Sequence, residues 1–216
     1  MQFTLSHSGQ TGVQTTTVYP NQVTIIDEIS LQTVVQFDHV AGIFLNNARS
    51  NANFIKSDVL VMDIDNDHSE NPDEWMTVER LKEIFADCNF ALVTSRSHMQ
   101  VKAGKVPRPK FHIYFQINEV ADKDIYVAMK EELCNQYKFF DDNAKDAARF
   151  FFGNPQAEVV WHDSWLTIDE DLFQAVSIDD EEDFDAEFYT PPSGPIQQGS
   201  RNSTMSVFAA KILKRL

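Results

Sequence analysis

Val59-Leu60-Val61-Met62-Asp63-Ile64-Asp65 is an apolar run that ends on two acids spaced two apart. Side chains alternate across a β-strand, so residues i and i+2 face the same way. Two carboxylates therefore project side by side from a strand otherwise built for burial. At about 4 Å such charges repel by roughly 4 kcal/mol at an effective dielectric of about 20. A divalent cation relieves that repulsion, and Mg²⁺ is commonly held by one or two carboxylates plus substrate phosphates. The pair thus points to metal-assisted chemistry on a phosphorylated substrate. Strands also end in Asp simply to start turns or cap helices, so a second site has to decide.

That second site is the alternation Lys110-Phe111-His112-Ile113-Tyr114-Phe115. Lys110, His112 and Tyr114 share one face of the expected strand over 110–117, and Phe111, Ile113 and Phe115 share the other. The apolar face is assigned to the core. The polar face then presents a lysine and an imidazole beside a basic loop, 96–109, that carries Arg96, Lys102, Lys105 and Arg108 with no acid. Such a group of cations calls for an anion, and a polyphosphate fits. His112 can donate to a phosphate oxygen, and Ser95 and Ser97 add hydroxyls where the loop begins. A third element is Asp141-Asp142-Asn143-Ala144-Lys145-Asp146-Ala147-Ala148-Arg149. If 143–149 is a short helix, Asp146 and Arg149 lie on one face.

Around these elements the chain of 216 residues, 43% hydrophobic with 17 Phe, has material for one well-packed domain. The strands expected are 13–19, 58–65, 90–95, 110–117, 150–152 and 158–161. The helices expected are 28–37 behind Asp27, Thr77 through Asp87, and 122–137 with Ile125, Met129 and Leu133 on one face. Cys88 and Cys134 read as two buried thiols, and no zinc-ligand spacing occurs. No apolar run approaches a membrane span, no signal-peptide pattern opens the chain, and the cytoplasm is the expected compartment. The net charge of −15 argues at first against nucleic acid. Its distribution answers that objection. Residues 150–200 hold twelve of the 33 acids and no Lys or Arg, so the 21 remaining acids are nearly balanced by 18 Lys and Arg.

Composition divides the chain into a domain over 1–176, an acidic, Pro/Gly-containing linker over 177–198, and an amphipathic helix within 199–216 that either docks on the main domain or opens a further one.

In this order the three elements resemble the archaeo-eukaryotic primase superfamily. That superfamily carries D-x-D or D-x-E on one strand, a serine-containing stretch leading to a histidine on the next, and then a third acid. The counterparts are Asp63-Ile64-Asp65, Ser95-Arg96-Ser97 through His112, and Asp146. Phe37-Asp38-His39-Val40, Arg108-Pro109-Lys110-Phe111-His112 and Ala147-Ala148-Arg149-Phe150 look like primase-polymerases of phages and integrated mobile elements. The resemblance covers about residues 35–155. It implies an α/β (α+β) core with an RRM-like antiparallel or mixed sheet flanked by helices.

The resemblance also implies DNA primase and polymerase activity, by template-directed nucleotidyl transfer from nucleoside triphosphates on a single-stranded DNA template. Two Mg²⁺ or Mn²⁺ ions would sit on Asp63, Asp65 and Asp146. His112, Lys110, Arg149, Arg96 and one of Ser95 and Ser97 would hold the triphosphate, and Lys102, Lys105 and Arg108 would follow the template. Here a long loop separates serine from histidine, which leaves the choice of serine open. Asp141 and Asp142 compete with Asp146 for the third position. Gly199-Ser200-Arg201-Asn202 looks like the start of the helical domain that follows in many such primases, and a helicase module could follow in a longer chain.

Competing readings use the same acids. A D-x-D phosphohydrolase has a small residue and then Thr or Val after the pair, where this chain has Asn66-Asp67. A nucleotide-sugar transferase needs no histidine strand behind a basic loop. A non-catalytic module binding single-stranded DNA or a replication partner would tolerate loss of Asp63 and Asp65.

Overall fold

Eleven consecutive residues, Phe54–Ile64, form the longest strand (β5), and the other elements are arranged against it. The computed structural model describes residues 1–101, 106–143 and 145–169. The chain divides into Met1–Asp171 and Leu172–Leu216, and every described residue falls in the first unit. The expected linker over 177–198 and the helix after it lie outside the described residues.

In chain order the elements are β1 (Phe3–His7), β2 (Asn21–Ile25), α1 (Glu28–Val35), β3 (His39–Val40), β4 (Ile43–Phe44) and β5. There follow α2 (Val78–Ile84), β6 (Phe90–Thr94), β7 (Phe111–Val120), α3 (Lys123–Gln136), β8 (Phe150–Phe151) and β9 (Val159–His162). They build a five-stranded sheet in the order β4-β5-β7-β6-β9 and a four-stranded sheet in the order β2-β1-β3-β8. All ladder pairs are antiparallel. The class is α+β, as expected. The run β5-α2-β6-β7-α3 has the β-α-β-β-α connectivity of the RRM-like unit. The last strand departs from that pattern, because β9 pairs with β6 and β4 occupies the outer edge of β5.

The helices start where their caps dictate. Asp27 accepts from Ser30 N at 2.7 Å, Thr77 from Arg80 N at 3.4 Å, and Asp122 from Asp124 N at 2.8 Å. The buried face of α3 is Tyr126, Lys130, Leu133 and Cys134 rather than the Ile125-Met129-Leu133 row. Cys88 and Cys134 are buried and are not joined in a disulfide.

Two expected elements are absent. Over 13–19 only Val18 makes a bridge, to Ala48. The amides of Gly12 and Val13 are taken by the Asp38 carboxylate at 2.8 and 2.7 Å, which leaves them no ladder to join. The strands that fill the small sheet, β1 and β2, come from segments the sequence reading passed over. Among the described residues of 143–149 there is no helix. Ala148 N bonds Asn51 Oδ1, so a distant side chain captures an amide that a helix would need.

The face of β7 expected to be open is also covered. Val59, Val61, Ala91, Val93 and Tyr114 pack against Phe3, Leu5 and Ile25 of the small sheet and Leu31, Val34 and Val35 of α1. Asp63 continues the row of Val59 and Val61, and His112 continues that of Tyr114. Both therefore lie at the end of an interlayer core. On the opposite face Phe85 meets Phe90, Phe115 and Tyr137 at centroid distances of 6.3, 4.9 and 5.0 Å.

Asp38 fixes how the chain enters this core. Besides Gly12 and Val13, its carboxylate accepts from Gly153 N at 2.7 Å. Gly153 lies so close to residues 36–37 that a Cβ there would stand 2.4 Å from Gln36 O. Buried donors left without a partner each cost about 1–3 kcal/mol. Asp38→Ala should therefore destabilise the fold by about 3 kcal/mol or more, read as a lower midpoint in chemical denaturation.

Candidate active site

The end of β5 faces β7 in register, and this places Asp63 directly opposite His112. Asp63 Oδ1 lies 3.3 Å from His112 Nε2, and Asp63 Oδ2 accepts from Arg149 Nη2 at 2.9 Å. Asp65, two residues on, pairs with Lys110 Nζ at 3.1 Å. The two carboxylates differ in setting, since the side chain of Asp63 is 9% exposed and that of Asp65 43%. Each is matched to a cation carried by the chain.

Burial pulls the His112 pKa below its usual value, against the raising influence of Asp63 and Asp65. The imidazole is therefore neutral at neutral pH, and its contact with Asp63 is not a full ion pair. Consistent with that, Asp63 Oδ1 is a buried oxygen without a hydrogen-bond partner. A hard, orphaned carboxylate oxygen beside a second carboxylate fits Mg²⁺ or Mn²⁺, whose coordination is commonly completed by water and substrate phosphates. Among the described residues no group of three His, Cys, Asp or Glu is placed to hold a metal ion.

The third acid is not gathered against the pair. Asp146 is exposed on a turn, in which Arg149 N bonds Asp146 O at 3.3 Å. Its competitors are engaged elsewhere: Asp141 accepts from Asn143 N and Nδ2, and Asp142 pairs with Lys145 at 2.7 Å. One side chain senses both Asp63 and Asp146. Lys130 is buried at 1% exposure. Burial lowers its pKa to about 8, against the raising influence of Asp63 and Asp146, with Arg149 adding to the fall. The sequence reading missed this lysine. Its signal was a period-four row, Tyr126-Lys130-Cys134, that a purely apolar criterion discards.

The basic loop resolves into separate roles. Ser95 N donates to Lys110 O at 2.9 Å, and Lys110 N donates to His98 Nδ1 at 3.1 Å, so Ser95 is fixed beside Lys110. Ser97 lies 3.4 Å from Ser95, hydroxyl to hydroxyl. Arg96 points elsewhere, with its guanidinium stacked 4.3 Å over the Phe152 ring. Lys102 and Lys105 lie outside the described residues.

Arg108 corrects an expectation. It is 1% exposed and cannot follow a template. It donates to Asn66 O at 2.8 Å, Ser69 O at 3.2 Å and Asp67 Oδ1 at 3.3 Å, pairs with Glu70, and lies over Trp75. A buried guanidinium needs several acceptors, and the turn after Asp65 supplies them. Arg108 thus anchors the segment that leaves the D-x-D.

Beneath the site lies a polar pair outside the expected residue set. His39 Nδ1 donates to Phe37 O at 2.8 Å, so His39 Nε2 accepts from the Tyr114 hydroxyl at 2.6 Å. Phe151 lies between the two imidazoles, 5.7 Å from His39 and 5.0 Å from His112.

No protein-family model and no curated protein matches this chain. Among solved structures it is similar to the AEP domain of the primase-polymerase (PrimPol) of cyanophage S-2L. The TM-score is 0.44 and the identity 12%, over 80% of this chain and 87% of that chain. At that level the chemistry has to be argued from the side chains themselves. No helix among the described residues is long and apolar enough to cross a membrane.

Burial lowers the pKa of His39 from 6.5 to about 4. The unfolded chain takes up this proton near pH 6.5 and the folded chain resists it. The contribution to stability is therefore complete above that pH and declines as pH falls toward 4, by up to about 3 kcal/mol. Denaturation at stepped pH should show the decline, and NMR of the imidazoles should show His39 still neutral at pH 5.

Proposed function

We propose that this chain is a metal-dependent nucleotidyltransferase that copies a single-stranded DNA template as a primase-polymerase. The observation that carries the reading is Asp63 set opposite His112 in strand register, with Asp65, Lys110 and Arg149 clustered around them. It is supported by the order of motifs in the sequence.

Asp63 and Asp65 would hold Mg²⁺ or Mn²⁺, with substrate phosphates and water completing the shell, since Asp146 is not gathered against them. When bound, the ions supply Lewis-acid stabilisation of the attacking and leaving oxygens. Lys110, Arg149 and the Ser95 hydroxyl bind the triphosphate, and His112 orients it as a neutral donor. Arg149 and Lys110 then exchange carboxylate partners for phosphate partners. Charge explains the exchange. With His112 neutral, Asp63 and Asp65 are balanced by Lys110 and Arg149, and Lys130 adds positive charge near Asp63, so a free divalent ion does not find the cluster favourable. Arg149→Gln should therefore weaken triphosphate binding and tighten Mn²⁺ binding to the nucleotide-free protein by about tenfold, read by electron paramagnetic resonance of free Mn²⁺.

The self-paired carboxylates also suit a second reading, a module that binds single-stranded DNA without catalysis. One experiment separates the two: incubation with single-stranded template, Mn²⁺ and labelled ribo- or deoxynucleoside triphosphates, without primer. A product ladder is expected. Asp63→Asn and Asp65→Asn should each lower synthesis by about a thousandfold while the thermal melt stays cooperative. Unchanged synthesis in the double variant would remove this mechanism. His112→Gln should raise the KM for nucleotide more than it weakens template binding.

A further inference from the structure

The strand β8 has two faces with different chemistry. Phe151 turns inward and is buried, whereas Phe150 and Phe152 turn the other way and are half-buried. Their rings meet edge to face at 4.8 Å. An arginine lies over each: Arg49 at 4.8 Å from the Phe150 centroid and Arg96 at 4.3 Å from that of Phe152. The two arginines come from distant segments, just before β5 and just after β6. Arg49 Nη1 donates to Ala148 O at 2.9 Å, and its Nε is buried without a partner. Neither guanidinium is paired with a carboxylate among the described residues. The preceding residue, Arg149, reaches Asp63.

In a chain of net charge −15, two arginines without acidic partners on one strip are a local exception. Screening over about 8 Å at physiological salt leaves the strip's field largely its own. A guanidinium over a phenyl ring can still offer N–H groups to phosphate and, where its outer side is open, a plane to a base. Arg96 is exposed, whereas Arg49 has Nη1 on Ala148 O and its Nε buried. Alternating arginine and aromatic side chains are the chemistry that binds a single strand without reading its sequence. A duplex hides its base faces and offers such a strip only phosphates.

We propose that the strip Arg49-Phe150-Phe152-Arg96 binds a single nucleic-acid strand and leads it along β8 to the Asp63 site. This rests on the catalytic reading for its destination. It gives Arg96 to the strand rather than to the triphosphate, and it replaces Arg108 as a template contact.

The test is fluorescence anisotropy of a labelled oligothymidylate across a salt series, with RNA of the same length and blunt duplex as further arms. Arg96→Gln, at an exposed position, should weaken single-strand binding about fivefold or more and reduce the salt slope by about 0.7. Phe152→Leu should weaken it by about fivefold or more with the slope kept. Arg96→Gln should leave the affinity for a non-hydrolysable triphosphate with Mn²⁺ within about twofold. The DNA and RNA arms report which sugar is preferred, and loss in either supports the strip. Unchanged affinity and slope in Arg96→Gln, an equal loss on duplex, or no single-strand binding by the unmodified chain overturns it. Failure of the catalytic reading is distinguishable. Strand binding sensitive to Arg96→Gln without synthesis sinks catalysis alone, and synthesis with strand binding insensitive to it sinks the strip alone.

Discussion

Everything at this site depends on placing a carboxylate on a row built for the core. Asp63 follows Val59 and Val61 on the face of β5 that packs against the small sheet. Taking an ion out of water costs several kcal/mol unless a partner and hydrogen bonds compensate. The compensation comes from Arg149, so the chain must be delivered to that point with little tolerance. The delivery is done by backbone. Asp38 holds Gly153 N, and the contact of Gly153 with residues 36–37 is too close for any side chain. Ladder pairing of β8 with β3 then directs Phe151 against both imidazoles. The resembled segment Phe37-Asp38-His39-Val40 thus acts through positioning, because it holds the strand from which the Asp63 partner emerges.

How much of this is legible in the sequence depends on whether local rules or distant partners decide. Strand β5, the caps Asp27, Thr77 and Asp122, and the alternation of β7 follow from period and capping chemistry, which act within a few residues. The shared facing of Lys110 and His112 could be read from spacing because strand alternation is local too, whereas Arg149 is paired with Asp146 by a helical spacing that the fold does not keep. What failed was settled by contacts far away in sequence. The segment 13–19 has β-branched composition, but its first amide, that of Val13, belongs to Asp38. The stretch 143–149 has helical spacing, but Asn51 captures the Ala148 amide. Arg108 looked like a template cation because a sequence shows charge and not burial. Its acceptors lie in a turn some 40 residues earlier, at separations of 38 to 42. Lys130 was passed over for the converse reason, as a charge on a row assumed to face solvent rather than the core.

The acidic character of the chain and its expected polyanionic ligand are reconciled by position. Half of the cations expected in the basic loop have assigned places within the described residues. Arg108 is consumed by Asn66, Ser69, Asp67 and Glu70 inside the fold, while Arg96 lies over the Phe152 ring at an exposed position. A buried guanidinium contributes little outward field, since its acids travel with it. A surface guanidinium stacked on a ring keeps most of its field. Counting charges over a loop therefore misjudges its potential, and burial decides which charges a ligand meets.

The two carboxylates of the D-x-D are not equivalent, and the asymmetry has a direction. Asp65, with its side chain 43% exposed, can turn to water or a cation at small cost, whereas its partner Lys110, 9% exposed, is costly to leave without a counter-charge. Asp63 is desolvated, and separating it from Arg149 without replacement would leave a buried charge uncompensated, at about 3–5 kcal/mol. Release of Arg149 from Asp63 would therefore need a replacement positive charge, and the unpartnered Oδ1 is the atom that would hold a divalent cation there. Asp63 is thus the fixed post of the site and Asp65 its adjustable one. The order follows from burial along a single strand, in which two residues of advance carry the chain from the interlayer core to the solvent edge.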